Sequence, residues 1–432
     1  MRIAFVAPFG LRAKGTTRGR ALPLARALAR RGHQMALFIP PYDSPEDSGR
    51  CWTDGGVDVI NVALPWRDPK GFSKPFGSAL CHLRLAWRLL RAVRAWQPDV
   101  VHIFKPKGPS GLVGTKLWLM QRRARKQEER RAANHRVTVS PRHLVIVDSY
   151  DWEGPGGWND DPRTGYTPWQ RRFFAWQERY GLSHADAWTV AGECLRERAS
   201  GFGADPERVF VLPNGVPDWA LGIGCANPQS LIPTPPSPLP PGLAARAGNP
   251  QSLLLYTRFA GVRVPDVVAI WRQVMEIAPE ARLIVVGRGL AGEEAALAGL
   301  PGVEVAGWVA SERLPAIFAE SAVALVPWAD TPANRGRSSV KVRELMAAGL
   351  PVVAYAVGEL PTVLGDTGVL VPPGDERALA TAVVALLNDP GRAAQLAAAA
   401  RTRAQARFNW DRLAEIALAA YAAALDQTGN VL

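Results

Sequence analysis

The chain has 432 residues, of which 47% are hydrophobic, and a formal net charge of +12. This length fits two domains of about 200 residues each. Four scattered cysteines without a CxxC pair indicate neither a zinc site nor a disulfide framework, which suits a reducing cytosol. No apolar run approaches the roughly 20 residues that span a bilayer, whereas the excess positive charge predicts acidic partners such as phosphates, nucleic acid or an anionic membrane surface.

The start of the chain has the pattern of a β–loop–α–β unit. An apolar strand is predicted over 2–7, a helix with one apolar stripe follows, and a second strand is predicted over 35–39. The loop after the first strand holds Gly15 among basic and hydroxyl side chains, so its backbone could approach a ligand closely. A simple tight connection would have the same pattern. The unit predicts a doubly wound α/β fold.

Polar residues follow or end two further predicted strands, which cover 98–104 and 143–147. Because ligands of open α/β sheets collect at the carboxyl ends of the strands, these residues are candidates for a site. Carboxylates there could orient hydroxyl groups or act as a base. A satisfied structural histidine, or a turn rich in capping residues, would fit the same pattern. The candidates are His102, Asp148, Asp151, Trp152 and Glu153.

A strongly basic segment follows the start of a helix predicted over 111–133. Between Lys116 and Arg136 there are eight Lys and Arg residues against two Glu residues, an excess of six that is half of the net charge. Segment 116–136 could therefore contact an anionic membrane surface, or it could be a solvated charged face. Nucleic acid is not the predicted partner, because the segment has few aromatic residues and no helix-turn-helix, RRM or KH signature.

A change of composition marks the domain boundary. Residues 227–242 hold seven prolines in sixteen positions, so they cannot form a packed element and are typical of an extended linker. We therefore predict an α/β protein with a first domain over 1–226, a linker over 227–250 and a second domain over 251–410. The remaining residues, 411–432, form a terminal helix that could cross back to the first domain.

A glycine motif follows a strand predicted over 281–286. Gly287, Gly289 and Gly292 spell GxGxxG, which suggests a dinucleotide enzyme. No acidic residue follows a second strand at the usual distance of about 20 residues. We therefore interpret the motif as a tight turn close to a nucleotide, with an NAD-dependent dehydrogenase as the alternative.

The stretch from Asn334 to Gly358 combines a loop, a helix predicted over 340–348 and a buried strand. Ser338 and Ser339 are capping residues that place the helix start near Val340. The first turn of this helix is an anion site because its N–H groups lack partners and the dipole is positive there. Lys341 and Glu344 lie three residues apart and can share a face, which suits a diphosphate beside ribose hydroxyls. A solvated helix start with a local Lys–Glu pair is the alternative.

Motifs spread over the second half, and more loosely over the first, resemble the retaining glycosyltransferases of the large GT4 family, which have the GT-B fold. In the first half the resemblance rests on the glycine loop, 31–33, 98–102 and 148–151. In the second half it rests on 213–216, Arg258, 286–289, 307–309, 334–344, 348–354 and 370–375.

The resemblance implies two Rossmann-like doubly wound domains that face each other across a cleft. The second domain would bind a nucleotide-sugar donor, in which the sugar is linked to UDP or GDP. The first domain would bind the acceptor. It implies retention at the anomeric carbon without a metal or a cofactor. The implied catalytic residues are Arg258 and Lys341 with His102 and Asp151. The implied donor-binding residues are Gly15, Gly287, Gly289, Val309, Arg263, Ser338, Ser339, Val340 and Glu344. The implied acceptor-side residues are Asp148, Trp152 and Glu153.

Two positions depart from the family pattern. The E-x7-E motif keeps its second Glu as Glu344, but Gly336 stands in place of the first, which normally touches the donor sugar. Arg263 stands where the family has Lys five residues after Arg258, and it is cationic with a different geometry.

The sequence thus predicts a cytosolic hexosyltransferase, peripheral on the inner face of the membrane if segment 116–136 binds lipid. Its acceptor would be a hydroxyl group of a glycan, a lipid-linked molecule or a small molecule. A nucleotide-sugar 2-epimerase shares the two-domain architecture and is one alternative. A non-catalytic protein that binds sugar nucleotides or polysaccharide is another, because the first Glu of the motif is missing.

Overall fold

The fold is taken from a computed structural model, which describes residues 1–12, 15–65, 75–132, 143–217 and 251–426. The predicted linker over 227–250 and residues 133–136 of the basic segment lie outside these ranges. The chain divides into two compact units. Unit 1 comprises Met1–Asn214 and Trp410–Leu432, and unit 2 comprises Gly215–Asn409.

Unit 1 is built on an eight-stranded sheet with the order β3-β4-β2-β1-β5-β6-β7-β8. Its strands are β1 (Arg2–Val6), β2 (Gln34–Ile39), β3 (Cys51–Asp54), β4 (Val57–Asn61), β5 (Val100–Phe104), β6 (Leu144–Ser149), β7 (Ala187–Val190) and β8 (Val209–Val211). Its first five helices are α1 (Leu22–Arg30), α2 (Pro75–Trp96), α3 (Pro109–Ala132), α4 (Pro168–Ser183) and α5 (Glu193–Gly201). The pairs are parallel except β3 with β4, which is antiparallel.

Unit 2 is built on a six-stranded parallel sheet with the order β11-β10-β9-β12-β13-β14. Its strands are β9 (Ser252–Tyr256), β10 (Arg282–Val286), β11 (Val303–Gly307), β12 (Val323–Val326), β13 (Val352–Tyr355) and β14 (Val369–Val371). Its helices are α6 (Val264–Ile277), α7 (Leu314–Ala319), α8 (Pro332–Arg335), α9 (Val340–Ala348), α10 (Leu360–Leu364), α11 (Glu376–Leu387) and α12 (Pro390–Arg407). The last helix of the chain, α13 (Trp410–Asp426), belongs to unit 1.

The sheet of unit 1 is covered on both faces, as the alternation along β1 requires. Ile3 and Phe5 enter one core with side chains of α1 and α13, whereas Ala4 and Val6 enter a second core with side chains of α2, α3 and α5. Tyr421 of α13 is fully buried in the first core. Unit 2 has a single core formed by its six strands and their helices.

The predicted α/β class is confirmed, and most predicted elements agree with the structure within two residues at each end. The antiparallel edge of the unit 1 sheet was not predicted: strands β3 and β4 form it around a turn at Gly55 and Gly56, which both have positive φ angles. The terminal helix α13 begins at Trp410, one residue before the predicted start, and Phe408 and Asn409 separate it from α12.

Candidate functional site

The carboxyl edge of the unit 2 sheet has its topological switch point between β9 and β12. From β9 the chain builds outward through β10 and β11, and from β12 it builds the other way through β13 and β14. Loops at such a point diverge and leave a crevice, which is where ligands bind in open α/β sheets. Tyr256 ends β9 at this point, and Arg258 follows it on the surface.

A tight turn holds Arg258 in place. The hydroxyl of Thr257 accepts a hydrogen bond from the backbone N–H of Phe259 at 2.9 Å. Phe259 is fully buried and has a φ angle of +55°, a conformation that costs of the order of 1–3 kcal/mol for a non-glycine residue. Gly287, at the end of β10, packs against this turn: a Cβ atom there would lie 1.7 Å from the carbonyl oxygen of Thr257. The turn therefore requires glycine at position 287.

Helix α9 begins and ends where the sequence predicts. The hydroxyl of Ser339 accepts a hydrogen bond from Val342 N–H at 3.4 Å, and Gly349 ends the helix with a φ angle of +72°. Val340 is its first residue, and Ser338 is buried just before it. An α-helix gives the N–H groups of its first turn no partner within the helix, so the start of α9, where Ser339 takes the N–H of Val342, is the end that suits an anion.

Tyr256 joins the turn after β9 to α9. The ammonium nitrogen of Lys341 lies 3.4 Å from the centroid of the Tyr256 ring. Burial and a hydrogen bond with the neighbouring carboxylate of Glu344 raise the pKa of Tyr256, and the positive charge of Arg258 acts against this rise. The structure thus brings Arg258, Lys341 and Glu344 together around one tyrosine.

Three other donor-side candidates lie at loop positions of unit 2, whereas Gly15, also a donor-side candidate, lies in unit 1. Gly289 donates its N–H to the Glu294 carboxylate at 2.9 Å, and Val309 is half-buried after β11. Arg263 is exposed and pairs with Asp266 at 3.4 Å, at the start of α6. The GxGxxG motif is not followed directly by an α-helix. A 3-10 segment of five residues follows instead, so the motif lacks the α-helix N-terminus on which dinucleotide binding depends.

The sheet of unit 1 has its switch point between the neighbouring strands β1 and β5. From β1 the sheet extends one way through β2 and β4, and from β5 it extends the other way through β6, β7 and β8. Lys105 follows β5 with a φ angle of +49° and is buried. Its ammonium group contacts the Asp151 carboxylate at 2.9 Å, the Tyr150 hydroxyl at 3.3 Å and the Glu153 carboxylate. Gly15 lies in the loop after β1 beside Thr16, whose hydroxyl is hydrogen-bonded to Tyr150.

A second buried lysine completes this cluster. Lys107 contacts Glu153 at 3.0 Å and Asn159 at 2.5 Å. Burial alone would lower the pKa of Lys105, but the Asp151 and Glu153 carboxylates outweigh it and hold the pKa well above its usual value. Burial would raise the pKa of Glu153, but Lys105 and Lys107 hold it below the usual range. Lys105 and Glu153 are therefore held in their charged forms, and with Lys107 and Asp151 they form a fixed network of ion pairs.

Two candidates from the sequence, His102 and Asp148, are buried in unit 1 and bonded to structural partners. His102 is fully buried, and its ring nitrogens contact the hydroxyls of Tyr421 at 2.8 Å and Thr189 at 3.0 Å. Asp148 is fully buried and accepts hydrogen bonds from Arg20 at 2.6 Å and from Thr189 at 2.7 Å. Both side chains are buried and held by structural partners, so the structure does not support the catalytic role predicted for His102 or the acceptor role predicted for Asp148.

The indole of Trp152 also contacts structural partners. Its N–H donates to the carbonyl of Pro155 at 2.9 Å, and the guanidinium carbon of Arg198 lies 4.1 Å from its ring centroid. Asp151 keeps a quarter of its side chain exposed and remains accessible.

Reasoning from the sequence missed Lys105, Lys107 and Tyr256. The two lysines stand directly after a buried strand, where polar residues are a usable signal. Tyr256 gave no such signal, since an aromatic residue at a strand end is ordinary. Within the described ranges, no group of three or more His, Cys, Asp or Glu side chains is placed to hold a metal ion. The described helices include none long and apolar enough to cross a membrane.

Two Rossmann-like units, the second with cations and a carboxylate at a helix N-terminus, define a protein of the GT-B glycosyltransferase class. Residues 15–215 match the model of the glycosyl transferase 4-like domain, and residues 254–389 match that of the glycosyl transferases group 1. The chain therefore belongs to the GT4 family of glycosyltransferases. The family predicted from the sequence is confirmed.

Individual relatives agree with this assignment. A D-inositol 3-phosphate glycosyltransferase of Xylanimonas cellulosilytica is 36% identical over 52% of this chain and 53% of its own length. The matched part thus spans about half the length of that relative. A phosphatidyl-myo-inositol mannosyltransferase of Mycobacterium leprae is 25% identical over 98% of this chain and 96% of its own length.

Among solved structures, a sucrose-phosphate synthase of Thermosynechococcus elongatus superposes with a TM-score of 0.67. It is 20% identical, and the match covers 97% of this chain and 98% of that one. This similarity confirms the predicted GT-B fold.

Proposed function

We propose that the protein is a retaining hexosyltransferase that moves a sugar from a nucleotide-sugar to a hydroxyl group of an acceptor. The observation that carries the proposal is the gathering of Arg258, Lys341 and Glu344 around Tyr256 at the switch point of unit 2. Two cations suit a diphosphate, and a carboxylate one helical turn beyond Lys341 suits the hydroxyls of the attached ribose. Membership of the GT4 family supports the same reading.

In this proposal unit 2 stabilises the leaving group. Arg258, Lys341 and the N–H groups at the start of α9 bind the diphosphate, and their charge matters most as the bond to the sugar breaks. Glu344 accepts hydrogen bonds from the ribose hydroxyls, and the turn at Val309 lies beside the base. The acceptor hydroxyl attacks the anomeric carbon from the side on which the diphosphate leaves, so that the configuration is retained. Its proton passes to the departing phosphate oxygen.

We infer that the acceptor binds at the switch point of unit 1. Asp151 keeps a quarter of its side chain exposed there, and Lys105, itself paired with the buried Glu153, holds that carboxylate in place, so that it can accept hydrogen bonds from sugar or polyol hydroxyls. Gly15 lies in the neighbouring loop, where its backbone is exposed. The relatives named for inositol phosphate and phosphatidyl-myo-inositol support a polyol, glycan or lipid-linked acceptor.

The test of donor binding is a thermal-shift screen with UDP-, GDP- and ADP-sugars. We expect one class to stabilise the wild type, and we expect the stabilisation to disappear in Lys341→Ala and Glu344→Ala. Arg282→Ala is the matched control, because Arg282 is an exposed cation at the opposite, amino-terminal end of β10. Equal stabilisation of the wild type and both site variants would contradict the assignment.

Product analysis separates the alternatives. A glycosyltransferase consumes donor only with an acceptor or, slowly, with water, and NMR of the product would give the retained anomeric configuration. An epimerase would convert the donor alone. The replacement of the first Glu of E-x7-E by Gly336 favours a non-catalytic binding protein as the second candidate. Tight nucleotide binding without any turnover would support that candidate, and transfer would remove it.

We also infer a cytosolic protein that docks on the inner face of the membrane through unit 1. The described part of segment 116–136 lies on α3, which exposes Leu119 beside its cations, and the neighbouring α4 exposes Trp169 and Trp176. Exposed tryptophans beside basic residues suit an anionic interface. Among the side chains of this segment that the structure describes, the exposed cations are Lys116, Arg122, Arg123 and Lys126.

Vesicle co-sedimentation tests the docking. We expect the wild type to bind phosphatidylcholine vesicles only when phosphatidylglycerol is present. Reversing Arg122, Arg123 and Lys126 to Glu should weaken binding by about a hundredfold or more, at about 1 kcal/mol per basic residue. The control reverses three exposed cations of unit 2, which are Arg282, Arg377 and Arg392. Unchanged binding of the unit 1 variant would contradict the docking surface.

A further inference from the structure

Tyr256 is the last residue of β9, and its position is fixed by the sheet and by a neighbouring ring. Its backbone pairs with Val286 of β10 in the parallel register. Its ring centroid lies 5.5 Å from that of Phe318 of α7, with the planes tilted by 60°. The tyrosine is therefore a rigid part of the unit, unlike the long side chains that it touches.

Two charged side chains of α9 contact this ring in different ways. Lys341 places its ammonium group over the face of the ring, 3.4 Å from the centroid. Glu344 forms a hydrogen bond with the hydroxyl, which donates to the carboxylate. A cation over an aromatic face is attracted by the ring quadrupole, and a hydroxyl bound to a carboxylate makes a strong, charge-assisted bond. One rigid side chain thus restrains both charged groups.

We propose that Tyr256 is a positioning residue for the donor: its ring holds Lys341 toward the diphosphate, and its hydroxyl holds Glu344 toward the ribose. This inference rests on the proposed function of unit 2. Lys341 and Glu344 carry long flexible chains that lose rotamer freedom when they bind a ligand. Tyr256 restrains that freedom before the donor arrives, so part of the entropic cost is removed from binding.

The two contacts can be separated by substitution. Tyr256→Phe keeps the ring under Lys341 and removes the hydroxyl from Glu344. Tyr256→Leu removes both. We therefore expect Tyr256→Phe to weaken recognition of the ribose while diphosphate binding is kept, and Tyr256→Leu to weaken both. A tyrosine with only a packing role would lower stability without this division.

The experiment measures calorimetric dissociation constants of UDP, GDP and ADP, of their 2′-deoxy forms, and of inorganic pyrophosphate. For the nucleotide that binds best, we expect the preference of the wild type for the ribose form to fall about three- to tenfold in Tyr256→Phe, the range of one lost hydrogen bond. Pyrophosphate binding should stay unchanged in Tyr256→Phe and weaken in Tyr256→Leu. In the background of Glu344→Gln, Tyr256→Phe should add little, because the two groups act together.

Tyr355→Phe is the matched control. Tyr355 ends β13 in the same unit, is buried, and has no hydrogen-bond partner for its hydroxyl among the described residues. We expect this variant to keep the wild-type preference. An unchanged preference in Tyr256→Phe, with the wild type binding nucleotide, would overturn the positioning role alone. Failure of the wild type to bind any of the three diphosphates would overturn the proposed function and this role with it.

Discussion

Arg20 and Asp148 form an ion pair that is almost completely buried, with Nη2 of Arg20 2.6 Å from Oδ2 of Asp148. The guanidinium also donates to the side chain of Asn214 and to the carbonyl of Leu212. The pair therefore connects the helical segment Thr17–Ala21, which carries Arg20, to β6, which carries Asp148. The bonds to Leu212 and Asn214 connect the same segment to the last residues of Met1–Asn214. It is part of the framework of unit 1 next to Tyr150 and Asp151, where we propose that the acceptor binds.

We predict that Asp148→Asn destabilises the protein strongly. The substitution leaves the positive charge of Arg20 buried with a weakened partner, and breaking such a pair costs about 3–5 kcal/mol. Chemical denaturation followed by circular dichroism would measure the loss. Asp411→Asn is the control, since Asp411 pairs with Arg30 at 2.8 Å on the surface and exposed pairs contribute about 0–1 kcal/mol. Equal effects of the two substitutions would contradict the structural role of Asp148.

We predict that His102 makes unit 1 sensitive to acid. Burial lowers the pKa of His102 to about 3 in the folded protein, whereas an unfolded histidine titrates near pH ~6.5. As the pH falls below ~6.5, the unfolded chain takes up a proton that the folded chain does not, so stability is lost down to pH ~3. The expected slope from this residue is about 1.4 kcal/mol per pH unit between these limits.

His102→Gln should reduce that slope. Unfolding free energies of the wild type and the variant would be measured between the two limits at constant ionic strength. Tyr421→Phe serves as the control, because it removes one hydrogen-bond partner of His102 but leaves the titrating ring in place. Parallel pH dependences of the wild type and His102→Gln would show that the histidine does not titrate as described.

Local signals explain what could be predicted from the sequence. Helix α9 covers Val340–Ala348 as expected, because Ser339 caps its start and Gly349 permits the left-handed end. The spacing of Lys341 and Glu344 also follows from the helix alone. These features depend on residues that are neighbours along the chain.

Non-local partners explain what could not be predicted. His102 and Asp148 do stand at strand ends, but their roles are decided by partners far along the chain. Tyr421 is 319 residues from His102, and Arg20 is 128 residues from Asp148. A single sequence does not reveal that these partners fill the space next to the strand. For the same reason the contacts of Tyr256 with α9 were not foreseen.

We predict that Asp151→Asn impairs the acceptor half-site and leaves donor binding intact. Asp151 contacts Lys105 at 2.9 Å and keeps a quarter of its side chain exposed, so a substrate can reach it. Loss of a charged hydrogen bond should lower kcat/KM for the acceptor by about ten- to a hundredfold. The dissociation constant of the donor nucleotide, measured by calorimetry, should not change.

Asp205→Asn provides the comparison for that experiment. Asp205 is half exposed and pairs with Arg208 at 3.2 Å, and we expect its substitution to leave acceptor kinetics unchanged. If Asp151→Asn weakens donor binding as much as acceptor use, the division of substrates between the two units is wrong.

We predict that Gly287→Ala weakens donor binding by displacing the backbone of the turn after β9. Gly287 has a φ angle of +125°, which L side chains rarely adopt, and the new Cβ atom would lie 1.7 Å from the carbonyl oxygen of Thr257. The backbone at Thr257 must therefore shift, and Arg258, which follows Thr257 in the turn after β9, must shift with it. We expect a lower Tm and at least a tenfold weaker nucleotide affinity, which is a loss of about 1.4 kcal/mol. Gly299→Ala is the matched control, because nothing lies within 4 Å of a Cβ atom there, and surface substitutions usually change stability by less than about 0.5 kcal/mol. A Gly287→Ala protein with wild-type affinity would mean that the turn after β9 does not position Arg258 for the diphosphate.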